Sequence, residues 1–320
     1  MKAIRVSQFG GPEVLQVAEV ADPRPGPGEV LLRLRAAGVN PVDTYIRSGG
    51  YARAPALPYT PGFDAAGVIE SVGTGVTHFK SGDRVYATGT LSGAYAELVL
   101  CLEARVRPLA QRLSFSQGAA IGIPYGTAYR ALFDRGRARP GELVLVHGGS
   151  GGVGTAALQL CRSRGLRAAG TAGTEQGRKQ VLAQGAAAAF DHSVSGYEPA
   201  LLQWTGGRGF DVIIEMLANV NLAHDLELLA PRGRVVIVGS RGQIQIDPRA
   251  VMGKDADVLG LSLMNISAEE FAAIHAALGE GLACGELTPV VGCERPLAEA
   301  TRAHEDVLAP GARGKIVLIS

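Results

Sequence analysis

The sequence is short of cysteine, tryptophan and net charge. Its four cysteines, Cys101, Cys161, Cys284 and Cys293, form no C-x-x-C pair. Dispersed cysteines argue against a disulfide scaffold and fit thiols in a reducing compartment. The net charge is only +1, so charge gives no reason to expect nucleic acid or an anionic membrane as the main partner.

Long apolar runs are absent as well. No stretch of about 18 consecutive apolar residues occurs, so we expect no membrane-spanning helix. The first residues alternate apolar and polar side chains like a strand, without the apolar core of a signal peptide. We therefore expect a cytoplasmic protein.

The sequence is long, and its two parts differ in the secondary structure that their patterns predict. Its 320 residues are too many for a single ordinary core and suggest about two domains. The first third contains short apolar runs, such as residues 30–36 and 65–72, that end in Gly, Pro or Asp. This spacing predicts a mostly antiparallel, barrel-like module.

From residue 117 onward, apolar strands alternate with helical stretches. We predict strands at residues 143–147, 166–172, 211–215 and 233–239, and helices at residues 155–164, 178–184 and 222–229. This alternation predicts an α/β domain with a doubly wound parallel sheet. We expect domains at residues 1–116, 117–263 and 264–320, with the strand-like segment 314–319 rejoining the first module.

A glycine-rich turn follows the strand at residues 143–147. Gly149, Gly151 and Gly154 fit the G-x-G-x-x-G pattern between a buried strand and a helix. One glycine permits the tight turn, one lets backbone amides approach a pyrophosphate, and one lets helix and strand pack closely. The alternative is a structural turn without a ligand, but the strand–turn–helix context favours a dinucleotide.

The end of the next strand bears on the choice of cofactor. An NAD site places a carboxylate there to bind the ribose hydroxyls. This chain has Gly173 and Thr174 instead, followed by Arg178 and Lys179, whose charges suit a 2′-phosphate. Glu175 argues mildly the other way, and both cations could simply lie on a solvated helix face. The pattern favours NADPH.

The segment from Gly141 to Gly154, with Gln159 and Arg162, resembles the quinone oxidoreductase/zeta-crystallin family of the medium-chain dehydrogenase/reductase superfamily. The resemblance runs almost end to end and includes residues 38–49, 57–62, 118–125, 214–221 and 238–242. It implies a zinc-independent NADPH:quinone reductase with a Rossmann domain and a GroES-like β-barrel catalytic domain. It also implies a homodimer or homotetramer.

The resemblance further implies a set of site residues. Asn40 and Tyr45 would be catalytic, and Tyr45 would also contact the cofactor together with Thr127. The other expected cofactor-binding residues are Ser150, Gly151, Gly152, Val153, Gly173, Lys179, His192, Asn221, Val238, Gly239, Ser240, Arg241, Leu261, Ser262 and Leu263. Some relatives have a lysine at the position of Gly177 that grips the 2′-phosphate, so the cation with that task here is left open.

Zinc-dependent members of the superfamily bind a catalytic metal at positions that correspond to Asn40, Phe63 and Asp64. Phenylalanine cannot ligate a metal and asparagine is a poor zinc ligand. We therefore expect no metal. Without a Lewis acid, an electron-poor acceptor such as a quinone is a better substrate than a simple alcohol.

Several roles stay open at this point. Tyr45, expected in a loop after a strand, could donate to a quinone oxygen, cover the nicotinamide or pack a seam. Asn40 could orient the substrate or form an Asx-turn before Pro41. No close His/Asp/Glu constellation is visible, so no general acid–base pair is assigned.

The substrate class is open too. A quinone and the carbon–carbon double bond of an alkenal or enone both need a flat apolar slot. A zeta-crystallin-like structural or RNA-binding role is the alternative of a different class, although the near-neutral charge argues against nucleic acid.

Overall fold

The computed structural model describes all 320 residues. Strands β1 to β15, in chain order, are Lys2–Arg5, Gln16–Glu19, Glu29–Val39, Asp64–Val72, Arg84–Thr88, Leu98–Leu102, Val106–Pro108, Leu143–Val146, Arg167–Thr171, Ala188–Phe190, Phe210–Glu215, Leu229–Ile237, Asp257–Gly260, Val291–Pro296 and Lys315–Ile319. Helices α1 to α10 are Pro41–Arg47, Phe115–Gly118, Gly122–Tyr129, Gly152–Ser163, Glu175–Ala183, Glu198–Trp204, Ala218–Leu228, Pro248–Met252, Ala268–Cys284 and Ala300–Asp306. No helix is both long and apolar enough to cross a membrane.

The chain divides into two compact units. The first comprises residues 1–123, 271–309 and 314–320, and the second comprises residues 124–270 and 310–313. The division into domains at residues 1–116, 117–263 and 264–320 remains a prediction.

The first unit contains a seven-stranded sheet. Its strand order is β14-β15-β3-β4-β5-β7, and β6 also pairs with β3. Every neighbour pair is antiparallel except β14 and β15, which confirms a mostly antiparallel module. The last strand, β15, lies between β14 and β3. The core includes Ile4, Leu32, Ile69 and Val99, each at most 1 % exposed.

The second unit contains a six-stranded parallel sheet in the order β10-β9-β8-β11-β12-β13. Successive strands spread from β8 to one side, and the chain then crosses back to β11 on the other. The predicted doubly wound sheet is thus confirmed, with a topological switch between β8 and β11, where such sheets bind ligands. Val144, Leu145 and Val146 of β8 are fully buried, and each such side chain contributes about 1.5–3 kcal/mol.

Candidate functional site

The glycine turn joins β8 to α4. Gly148 has φ of +58°, a left-handed conformation that favours glycine. A methyl group at Gly154 would come 2.3 Å from the Gly148 carbonyl oxygen and 2.6 Å from Gly149 Cα. Only glycine therefore lets this helix lie so close to the turn.

The first turn of α4 is available to an anion. Its N-cap, Gly151, makes no side-chain capping hydrogen bond, and the leading amides of a helix have no intrahelical acceptor. The Ser150 hydroxyl donates to the Ala312 carbonyl oxygen at 2.7 Å. The amides of Gly149 and Gly151 donate to the carbonyl oxygens of Thr171 and Gly148, so the leading amides of α4, from Gly152 onward, are the ones with the chemistry that a pyrophosphate requires.

Most of the expected cofactor residues follow the carboxyl ends of the parallel strands. Gly173 follows β9, His192 follows β10, and Asn221 lies on α7 after β11. Two further groups follow β12 and β13, namely Val238, Gly239, Ser240 and Arg241, and Leu261, Ser262 and Leu263. Because these strands are parallel, their carboxyl ends share one edge of the sheet.

Contacts tie these segments together along that edge. The Arg241 amide donates to Asn219 Oδ1 at 2.7 Å, which joins the end of β12 to α7. A methyl group at Gly126, next to the expected contact Thr127, would come 3.4 Å from Leu263 Cδ1. Helix α3 therefore packs near the segment after β13.

The two candidate cations after β9 differ in their surroundings. Thr174 caps α5 by accepting from the Gly177 amide at 3.0 Å. Arg178 forms a half-buried ion pair with Asp191. Lys179 pairs with Glu175 at 2.6 Å, and both of these side chains are 74 % exposed. An exposed pair is weak, so Lys179 is the cation that can more easily change partners.

Tyr45 was expected in a loop, but it lies in helix α1. Asn40 is the N-cap of that helix, and its backbone amide donates to Asp43 Oδ2 at 2.8 Å as part of a capping box. Pro41 occupies the first helical position. The pattern N-P-x-D carries this signal in the sequence, and the expectation of a loop overlooked it. Tyr45 is partly exposed.

Asn40 itself is only 2 % exposed. Its Nδ2 donates to Asp64 Oδ2 at 3.0 Å, and its Oδ1 accepts from Lys315 Nζ. Both ends of the amide are thus engaged within the protein. This arrangement favours a positioning role for Asn40 rather than the direct substrate contact that the resemblance implies.

Lys315 is the cation at the centre of this buried cluster. Its Nζ lies 3.5 Å from Asp64 Oδ2. Burial lowers the pKa of Lys315, although Asp64 and Asp43 act in the opposite direction. Asp64 Oδ1 also accepts from the Thr88 hydroxyl at 2.7 Å and from the Ile123 amide at 2.9 Å. An ammonium group therefore compensates the carboxylate of Asp64, one of the positions that the resemblance leads us to expect in place of zinc ligands.

A second carboxylate extends the cluster. Burial raises the pKa of Asp43 to about 7, against the opposing effect of the Asn40 amide. The Tyr95 hydroxyl donates to Asp43 Oδ2 at 3.3 Å and also contacts His304. Asp43 Oδ1 is buried without a hydrogen-bond partner.

The second unit contains a constellation that the sequence prediction missed. His147 Nε2 lies 2.8 Å from Asp225 Oδ1 and 3.6 Å from Glu215 Oε2. All three side chains are buried. The expectation that no close His/Asp/Glu group exists is therefore wrong.

The physical reason is the parallel topology. His147 directly follows β8 and Glu215 is the last residue of the neighbouring β11, so the two residues meet at one edge of the sheet. Asp225 lies on α7 among the buried residues Leu222 and Leu226. An acid on the apolar face of a predicted helix is the signal that could have revealed the cluster.

Imidazole and carboxylate groups are also metal ligands, but Glu215 in this cluster is occupied by hydrogen bonds from the protein, whereas Asp225 Oδ2 is buried without a partner. Both oxygens of Glu215 accept from Asn221 Nδ2 at 3.2 Å, and Oε1 also accepts from the Leu217 amide. The arrangement is that of an internal ion-pair network. It engages the side chain of Asn221, an expected cofactor residue.

The charges of this network shift both titrations. Burial lowers the pKa of His147, but the charge of Asp225, its hydrogen bond and the charge of Glu215 outweigh burial and raise it. Burial and the charge of Asp225 raise the pKa of Glu215 to about 7, although His147 opposes them. The two carboxylates beside His147 therefore favour its imidazolium form.

Comparisons with known proteins place the chain in a family. Residues 26–111 match the model of the alcohol dehydrogenase GroES-like domain, and residues 152–279 match that of the zinc-binding dehydrogenase. The chain is 52 % identical to the quinone oxidoreductase of Rattus norvegicus, and the match covers 100 % of this chain and 98 % of that protein.

Solved structures agree with this placement. The structure of Escherichia coli quinone oxidoreductase complexed with NADPH has a TM-score of 0.90 and 31 % identity, with full coverage of both chains. A structure described as an NAD-dependent alcohol dehydrogenase has a TM-score of 0.91 and 30 % identity, also with full coverage. The fold is thus shared by enzymes with different cofactors, and the sequence identity over the whole length is what selects the family. The chain belongs to the quinone oxidoreductase family of the medium-chain dehydrogenase/reductase superfamily and is an oxidoreductase.

Proposed function

We propose that this protein reduces quinones with NADPH and without a metal. The observation that carries the proposal is the glycine turn between β8 and α4, with Gly173 and not a carboxylate at the end of β9. The relatives named quinone oxidoreductase and the E. coli complex with NADPH support the cofactor and the acceptor.

The protein's own residues have defined tasks in this proposal. The segment from Ser150 to Val153 binds the pyrophosphate through the leading amides of α4, and Gly154 permits the close approach of helix and turn. Lys179 leaves Glu175 and binds the 2′-phosphate. The residues after β12 and β13, from Val238 to Arg241 and from Leu261 to Leu263, line the cofactor. When bound, NADPH supplies the reducing electrons.

On the substrate side, Tyr45 is the proposed hydrogen-bond donor to a quinone oxygen. Asn40, Asp64 and Lys315 hold the start of α1 and thereby position Tyr45, which lies five residues beyond Asn40. These residues and Phe63 do not form a zinc site. Phe63 cannot bind a metal, and the charge of Asp64 is already compensated by Lys315.

We further propose a homodimer or homotetramer in the cytoplasm. All four cysteines are unpaired, and Cys101 and Cys161 are buried, as suits a reducing compartment.

The test follows NADPH oxidation by the purified protein with ortho-quinones, para-quinones and 2-alkenals in parallel. We expect turnover of quinones, a preference for NADPH over NADH, and no stoichiometric zinc by metal analysis. Turnover of alkenals alone would make the enzyme an enone reductase. Failure to oxidise NADPH with any acceptor would favour a binding or structural role.

Tyr45→Phe is the matched variant for the substrate side. It removes one hydroxyl and keeps the ring, so we expect lower kcat/KM for quinones by about tenfold with unchanged affinity for NADPH. Tyr51→Phe, in the loop after α1, serves as the control and should leave kcat/KM unchanged.

A further inference from the structure

A chain of hydrogen bonds leads from the buried ion-pair network to His192. Thr171, the last residue of β9, is fully buried. Its Oγ1 lies 3.5 Å from His147 Nδ1 and 3.1 Å from His192 Nδ1. It also accepts from the Gly148 amide at 3.2 Å. One hydroxyl thus connects two histidines and the glycine turn.

The donors and acceptors of this hydroxyl can be counted. A threonine hydroxyl has one proton to donate and two lone pairs. The Gly148 amide takes one lone pair, which leaves one proton and one lone pair for two histidine nitrogens. One histidine must therefore donate through Nδ1, and the other must accept.

The charge on His147 decides between the two. Asp225 Oδ1 and Glu215 Oε2 lie 2.8 Å and 3.6 Å from His147 Nε2, and these two carboxylates favour the imidazolium form. An imidazolium carries protons on both nitrogens, so in this form Nδ1 donates to Thr171. The hydroxyl proton then goes to His192 Nδ1, which accepts. Burial lowers the pKa of His192, as do the charges of His147 and Arg178, so this histidine is neutral and its single proton lies on Nε2.

His192 Nε2 lies at the adenosine end of the expected cofactor site. A methyl group at Gly173 would come 2.9 Å from this nitrogen. We propose that the charge on His147, relayed through the Thr171 hydroxyl, holds His192 in the tautomer with its proton on Nε2 and so presents a hydrogen-bond donor to the adenosine end of the dinucleotide. This inference rests on the proposed use of NADPH.

The relay makes the tautomer depend on pH. If His147 loses a proton, it keeps Nε2–H for Asp225 and its Nδ1 becomes an acceptor. Thr171 then donates to His147, His192 must donate through Nδ1, and its Nε2 becomes an acceptor. The charged or titratable groups that act on the two histidines are Asp225, Glu215 and Glu198 around His147, and His147, Asp191 and Arg178 around His192.

The first test reads the tautomer directly. The unaltered protein is labelled with ¹⁵N-histidine and its spectra are recorded over a pH series, with His192→Gln used to assign the signals. We expect a protonated Nε2 and an unprotonated Nδ1 on His192 near neutral pH, and an exchange of the two in the pH range where His147 titrates. A His192 that carries its proton on Nδ1 while His147 is charged would overturn the proposal.

The second test measures affinity for NADPH and for 2′,5′-ADP by calorimetry. Thr171→Val removes the relay and keeps the shape, and Thr171→Ser is the matched control that restores a hydroxyl. We expect Thr171→Val to weaken 2′,5′-ADP binding about tenfold and Thr171→Ser to bind like the unaltered protein. In a His192→Gln background, Thr171→Val should cause no further loss, because the two residues act as one unit.

The outcomes separate the two proposals. If the unaltered protein binds neither NADPH nor 2′,5′-ADP, the proposed cofactor is wrong. If it binds both and folded Thr171→Val binds 2′,5′-ADP as tightly, the cofactor stands and the relay is refuted. If Thr171→Val does not fold, the ¹⁵N pH series on the unaltered protein decides alone.

Discussion

At the scale of single residues, the two buried clusters show how the chain compensates internal charge. Lys315 lies beside Asp64 in one unit, and His147 lies beside Asp225 in the other. A buried ion pair adds little net stability because desolvation offsets its attraction, but the loss of one partner is costly. Each cluster is therefore sensitive to substitutions that remove only one charge.

For Lys315→Met we expect a loss of about 3–5 kcal/mol in the free energy of unfolding, because Asp64 stays buried without a counter-ion. Urea unfolding monitored by circular dichroism measures it. Lys80→Met, at an exposed lysine, is the control and should change the value by less than about 0.5 kcal/mol. A loss of the same small size in Lys315→Met would show that Lys315 does not compensate Asp64.

At the scale of elements, the strand–turn–helix unit from β8 to α4 was predictable because each of its parts is local. An apolar strand, a run of glycines and a helical repeat lie next to one another in the sequence. The helix α1 was equally local, yet its capping box was overlooked. The His147 cluster was harder, since it depends on β8 and β11 being neighbours, which no local pattern states.

The glycine turn offers a sharp test of packing. Gly154→Ala places a methyl group against the backbone of Gly148 and Gly149, so we expect dinucleotide affinity to fall by at least about 100-fold, or about 3 kcal/mol. Binding of NADPH by fluorescence measures it. Gly279→Ala in α9 meets no atom within 4 Å and should leave binding unchanged, with a small gain in helix stability. Normal NADPH binding by Gly154→Ala would refute the close approach.

The start of α5 decides between the two cofactors. We expect Lys179→Gln to weaken NADPH binding by about fivefold, the value of a partly exposed charge pair, and to leave NADH binding unchanged. Calorimetric titration with both cofactors measures the difference. The control is Lys254→Gln on the loop before β13. An equal loss for NADH would remove the 2′-phosphate as the partner of Lys179.

At the scale of the whole molecule, composition and periodicity were enough to predict two modules of different texture. The apolar strands from residue 143 onward read as a parallel sheet, and the Gly- and Pro-punctuated strands before residue 117 read as an antiparallel one. The place of Lys315 could not be predicted in this way. Its contact with Asn40 joins residues 275 positions apart, and only the pairing of β15 with β3 brings them together.

The stability of the whole protein should depend on pH through Asp43. Its pKa in the folded state is about 7, above the ordinary 3.8, so the folded state retains a proton that the unfolded state has lost. The resulting stabilisation is complete below about pH 4 and disappears as the pH rises through 7. We expect the free energy of unfolding to fall by about 2–3 kcal/mol between pH 5 and 8 from this group.

Asp43→Asn keeps the acceptor for the Asn40 amide and removes the ionisation, so its unfolding free energy should vary less over this pH range. Urea titrations at several pH values measure the slope. Glu227→Gln, at an exposed acid, is the control and should keep the slope of the unaltered protein. An unchanged slope in Asp43→Asn would assign the pH dependence to other groups, of which Glu215 is the first candidate.

The position of β15 has a consequence for biosynthesis. This strand, residues Lys315–Ile319, lies inside the sheet of the first unit, between β14 and β3. On the ribosome, the residues that form β3 and β4 emerge long before β15. Asp64 therefore has no counter-ion until Lys315 has been synthesised. The second unit is nearly continuous in sequence and can fold while the chain is still growing. The amino-terminal segment is therefore synthesised first but completed last, and during that interval it exposes the edge of β3 that β15 will cover.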